Sequence, residues 1–206
     1  ITPIIYWDIV CTNTGGRTWP SGTTGILDTF IVGLNAFNSG SGIVDFMGAQ
    51  PQFIPAINYP SVINSGGGDR VFAPSGTIVI NGTLTPSIGL YTVTGSTVNF
   101  ASSSNLNFPY LSVNSGPNYN NVIKSGSGNL DLEAPMTIGG NLTITNSSFR
   151  QNTVASIFPL TIDGDLIISG GDYFFSTGTG ANVLTLRGNL TQTSGRARVS
   201  GSVLGR

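Results

Sequence analysis

With 206 residues the chain is long enough for one substantial core, and its eight Lys and Arg against nine Asp and Glu leave a net charge of −1. Lys124 is the only lysine and the seven arginines are scattered, so the sequence offers no basic stripe for nucleic acid. No apolar run nears the roughly 18 residues of a membrane-spanning helix, Cys11 has no second cysteine for a disulfide, and His is absent altogether. Only 8% of residues are charged while Gly, Ser, Thr and Asn abound, a surface solvated by hydroxyls and amides. That composition points to an extracellular or cell-surface location.

Residues 1–44 fit no repeat and read as an N-terminal cap or flanking segment, with a short helix expected near Gly25 to Phe37. A solenoid end exposes unpaired strand and core, which calls for such an atypical cap. Both tryptophans lie here, and Trp7 and Trp19 are the candidate carbohydrate contacts, since an exposed aromatic face stacks on a sugar ring. Cys11 reads as a small buried apolar side chain. The start at Ile1-Thr2-Pro3, without Met or a leader, is expected of a processed chain or of a piece of a longer one.

From residue 45 to 206 the chain repeats itself. A long, gapped duplication relates Phe46, Tyr59-Pro60-Ser61-Val62 and Asn64-Ser65-Gly66 to Phe100, Tyr110-Leu111-Ser112-Val113 and Asn114-Ser115-Gly116. Over it lies a shorter phrase: Ile78-Val79-Ile80-Asn81-Gly82-Thr83-Leu84-Thr85, then Met136 to Thr143, Leu160 to Ile167 and Leu184 to Thr191. Gly140, Gly164 and Gly188 recur at equal intervals, and a fixed period of this size marks stacked structural repeats. In each copy alternating apolar residues, such as Leu160 and Ile162 and then Leu166 and Ile168, flank a glycine corner. At about 3.3 Å per strand residue, such a repeat suits three short strands with corners. The expected fold is all-β: a right-handed parallel β-helix, or β-solenoid, of about eight circuits of about 24 residues.

The expected core columns hold Ile78, Ile80 and Leu84, then Met136, Ile138, Leu142 and Ile144, then Leu160, Ile162, Leu166 and Ile168, then Leu184, Leu186 and Leu190. The third strand of the circuit is marked by Leu130 and Leu132, by Phe149, and by Tyr173 to Phe175. Phe174 follows Phe149 by slightly more than one period, and insertions fall in stretches such as Ser176 to Asn182. Gln192 takes an inward position that Ile144 and Ile168 hold, and Arg196 to Leu204 keeps alternating. An uncovered parallel edge invites strand addition, so Arg206 is expected to be followed by more polypeptide, a neighbouring copy or a partner.

Chemistry-bearing residues are few. Asp163 and Asp165 flank Gly164 at a corner, one circuit below Arg187 and Asn189. A cross-circuit ion pair on a solvated surface is the expected role; a glycosidase or calcium site would need more convergent acids than these two. Gly66-Gly67-Gly68-Asp69-Arg70 lacks the Lys and Ser/Thr of a phosphate loop and reads as a turn. Thr83/Thr85, Thr143/Thr145 and Thr191/Thr193 form outward pairs that an ice- or crystal-binding face would use, but Ile167 and Ser169 interrupt the rank. Of the sequons at Asn81, Asn141, Asn146 and Asn189, three are simply the repeat phrase.

The Leu-Thr-Ile-x-Gly-Asn-Leu-Thr phrase, with intervening Ser-Gly and Phe, resembles repeats of large secreted surface proteins of Bacteroidota, adhesin-like chains exported by the type IX system. The resemblance covers roughly Phe46 to Val203. Members of that group are longer and carry a C-terminal sorting domain, which implies that these residues belong to a larger chain. With no His and no convergent acidic cluster, the expected function is a non-enzymatic stalk, filament or adhesive segment, without cofactor or metal, that self-associates or meets a glycan or cell-surface ligand. The alternative is a carbohydrate-active β-helix, a polysaccharide lyase or glycoside hydrolase; the third reading is an ice- or surface-binding solenoid.

Overall fold

The computed structural model describes residues 4–12, 14–33, 36–151, 158–175 and 183–198. The described residues contain no helix; parallel strands stack as a β-solenoid of about nine turns, about 21 residues apart. The chain forms two compact units, Ile1–Val98 with Leu111–Ser115, and Asn99–Tyr110 with Gly116–Arg206.

In the first unit the strands Ile4–Tyr6, Thr23–Ile26, Ile43–Phe46, Ser61–Ile63 and Leu84–Thr85 make one parallel sheet. Its register runs Ile4, Thr24, Val44, Val62, Leu84, so successive circuits are unequal, shortest from Val44 to Val62 and longest from Val62 to Leu84. A second sheet stacks Gln52–Ile54, Arg70–Phe72 and Tyr91–Thr92. The period of the glycine phrase therefore does not extend to this unit. The described part of residues 1–44, expected to stand outside the repeat, joins the same parallel stack, and the helix expected near Gly25 to Phe37 is instead parts of strands Thr23–Ile26, Phe30–Ile31 and Phe37–Asn38. Inward residues of such short strands, Ile26, Phe30 and Phe37, fall at helix-like spacings although each belongs to a different strand.

In the second unit the glycine phrase sets the geometry. Val122, Leu142, Leu166 and Leu190 are successive partners in one sheet; the first step is short, and the next two match the interval between the glycines. Met136, Leu160 and Leu184 align in another sheet at that same interval. The third strand runs through Leu106, Leu130, Phe149, Tyr173 and Ala197. Tyr173, not Phe174, is thus the inward partner of Phe149, and their rings stack at 5.7 Å.

The core follows the alternation. Every expected core residue from Ile78 to Ile168 is buried, whereas Leu184 and Leu186 are half-buried and Leu190 is 52% exposed, because no described strand lies over them. Gln192 does align with Ile168, and its Nε2 donates to the Gly195 carbonyl at 3.0 Å. The stretches Ser176 to Asn182 and 199–206, the latter with Arg206, lie outside the described residues.

The glycine of the phrase has a steric cause. At the corners of the second unit the Asn141 N–H donates to Asn121 Oδ1, the Asp165 N–H to Asn141 Oδ1 and the Asn189 N–H to Asp165 Oδ1, each at 2.8 Å. This amide ladder runs past Gly140, Gly164 and Gly188, where any Cβ would strike the accepting oxygen.

Candidate functional site

The two tryptophans part company. Trp7 is 68% exposed, whereas Trp19 is 6% exposed, its ring against Phe30, Phe37 and Tyr59 and its Nε1 donating to the Asn58 carbonyl at 2.9 Å. Trp19 is therefore mainly a core plug. Both belong to the first unit, where a cavity of about 380 Å3 is lined by Tyr6, Asp8, Val10, Cys11, Arg17 and Trp19 among others. Cys11 is half-buried there.

The acid column at Asp163 and Asp165 is a pair of ties between circuits. Arg187 Nη1 meets Asp163 Oδ1 at 2.7 Å with the arginine side chain 66% exposed, as expected of a solvated ion pair. Asp165 accepts from the backbone and side chain of Asn189. The same use recurs in both units. Asp8 accepts from the Thr29 N–H, Asp45 from Ser65, Asp69 from the Leu90 N–H, and Glu133 from Asn107. Asp131 takes a bidentate pair of bonds from Arg150, and Asp172 pairs with Arg198 at 3.3 Å. Eight of the nine carboxylates thus bind a group on an adjacent circuit. Among the described residues no three His, Cys, Asp or Glu side chains are grouped to hold a metal ion.

The Thr rank is interrupted where the sequence placed the break, with Thr143, Ile167 and Thr191 in register. A shorter rank, Thr137, Thr161 and Thr185, is continuous on another sheet. The sequon amides Asn81, Asn141 and Asn189 are engaged by neighbouring circuits, and Asn146 Oδ1 accepts the next residue's N–H.

Two cations are buried, which their charge gave no reason to expect. Arg70, fully buried, lies among five backbone carbonyls: Nη1 donates to Gly68 and Asp69, and Nη2 to Phe46, Gly48 and Gly66. Burial pushes its pKa down from the ordinary arginine value, opposed by Tyr91, Asp45 and Asp69. Gly66 to Arg70 is thus a turn, as read, and also a receptor for its own arginine. In the second unit Lys124, likewise buried, donates to the Gly126 carbonyl, and burial pushes its pKa down to about 8.

The two corners correspond. Gly66 N–H binds the Phe46 carbonyl and Ser65 Oγ binds Asp45; Gly126 N–H binds the Phe100 carbonyl and Ser125 Oγ binds Asn99. The structural counterpart of Asn64-Ser65-Gly66 is therefore Lys124-Ser125-Gly126, not Asn114-Ser115-Gly116. The sequence signal was the shared Ser-Gly-x-Gly, at residues 65–68 and 125–128.

Compared with known proteins, the chain matches no family model, no curated protein and no solved structure.

Proposed function

We propose that this chain is a non-enzymatic, extracellular β-solenoid, a structural or adhesive segment of a cell-surface or filament-forming protein. The observation that carries the reading is the commitment of eight of nine carboxylates to ties between adjacent circuits. A lyase or hydrolase needs acids or bases aimed together at a substrate. Here the acids point along the stack, at backbone amides, asparagines and arginines, and the sequence has no His to replace them. Low charge and abundant hydroxyl and amide side chains support a surface location.

Two measurements test this. Incubation with polyuronates and neutral glycans is expected to release no reducing ends or unsaturated products; release that disappears in an Asp163→Asn, Asp165→Asn double variant would establish the carbohydrate-active reading instead. Surface proteolysis and fractionation of the source cells are expected to find the chain outside the cytoplasm, and recovery only from the cytosol would refute the location.

A further inference from the structure

One outer face of the first unit is an apolar stripe. Ile9–Val10 pairs with Phe30–Ile31, which sets Val10 beside Ile31, and Phe53 lies beside Val71 in the sheet of Gln52–Ile54 and Arg70–Phe72. Phe30–Ile31 packs on Gln52–Ile54, so the two ladders continue each other. Alternation sends Phe30, Gln52 and Arg70 inward, and leaves Val10, Ile31 and Phe53 outward at 55%, 49% and 43% exposure. With Val71 and the exposed Leu90 the stripe presents on the order of 400 Å2 of apolar surface, the size at which patches on single chains are often functional. Its rim is acidic: Asp8 and Asp69 are exposed and each uses one oxygen on a backbone N–H.

The second unit carries a face of opposite character. Arg150, Phe174 and Arg198 are successive partners on its outward side, with the Arg198 guanidinium 5.5 Å from the centre of the Phe174 ring. Asp131 and Asp172 neutralise Arg150 and Arg198. Arg196, exposed beside Asp172, is in no ion pair among the described residues and is the surplus cation.

We propose that the stripe of one copy docks on the Phe174 and Arg196 face of a second copy, with Phe53 against Phe174 and the acidic rim toward Arg196. Charge selects this pairing over stripe on stripe, because a twofold contact would press Asp8 and Asp69 against carboxylates in a water-poor interface. About 400 Å2 of apolar surface, in an interface a little over half non-polar, corresponds to about 700 Å2 per partner, near the area of a stable specific contact. Because the two faces differ, each docked copy leaves one of each kind open, so association continues beyond two. The contact does not depend on where the chain resides, and it holds or fails separately from the function proposed above.

Sedimentation velocity of the full chain over a wide concentration range tests it. Wild type is expected to give a growing series of species that salt shortens. Phe53→Asp, and independently Ile31→Lys, spoil the stripe; Phe174→Asp with Arg196→Glu spoils the other face. All three alter outward positions, are expected to keep the wild-type circular dichroism, and each alone is expected to stay monomeric, with affinity lowered about 100-fold or more. An equimolar mixture of Phe53→Asp with the Phe174→Asp, Arg196→Glu variant retains one good face of each kind and is expected to stop at a dimer. A wild type monomeric at every concentration overturns the proposal. So does assembly of the Phe174→Asp, Arg196→Glu variant alone, which would mean that stripes pair with stripes, or a mixture that stays monomeric.

Discussion

Replacing Arg70 by Met separates the hydrogen bonds of the buried guanidinium from its bulk. Of its five carbonyl acceptors, those of Phe46, Gly48 and Asp69 also accept from Gly66, Gly68 and Gln52 N–H groups. The Gly66 and Gly68 carbonyls have the guanidinium as their donor and would be orphaned. The buried Gly68 acceptor left without a donor costs about 1–3 kcal/mol and the half-buried Gly66 acceptor less, and relief of the guanidinium's desolvation offsets part of that. The expected net loss is about 2 kcal/mol in chemical denaturation followed by far-UV circular dichroism at unchanged slope. A buried ion pair can often be exchanged for apolar groups at little cost, but these acceptors are backbone and stay behind. Arg70→Lys, whose ammonium reaches fewer of them, is expected to lose roughly half as much. A Met variant within about 1 kcal/mol of wild type, or more stable than the Lys variant, would refute the cage as a source of stability.

Four further outcomes are expected. Leu166→Ala opens a cavity in the second unit and costs about 2–5 kcal/mol, whereas Arg187→Ala, at an exposed ion pair, changes stability by less than about 0.5 kcal/mol; the two are compared in one urea titration. Gly164→Ala drives a methyl into Asn141 Oδ1 and is expected to cost more than about 2 kcal/mol, with Asn141→Ala in the same background recovering part of it. Lys124 has a folded pKa of about 8, below its unfolded value of about 10.5, so the unfolded chain binds the extra proton between them. Stability therefore rises as pH climbs from about 8 toward 10, and a thermal-melt series should show that rise in wild type and lose it in Lys124→Met. Above about pH 10 the buried Tyr59 and Tyr173, whose pKa values burial raises, reverse the trend, because the unfolded chain gives up their protons first.

The second unit was legible because its apolar positions obey one period and one phrase: Leu142, Leu166 and Leu190 are named as a column by spacing alone, and the structure stacks them. The first unit was not, because its circuits vary in length and its strand Thr23–Ile26 holds Thr24 in the column where the phrase has Leu84. Ion pairing of Asp163 with Arg187 followed from an offset of one full period, which converts sequence distance into stacking. Arg70 escaped because charge and flanking glycines both signal a solvated loop. Only backbone geometry, carbonyls turned inward at a tight corner, makes that position a place for a cation.

The carboxylate ties and amide ladder have a consequence for a chain that is cut. Each tie joins groups one circuit apart in sequence and adjacent in the stack, so a protease that severs a corner within either unit breaks one peptide bond and none of the ties. The fragments on either side remain clipped to each other, and the nick is invisible to any separation that leaves the fold intact. Damage of this kind accumulates silently, and shows only when a denaturant releases the pieces together.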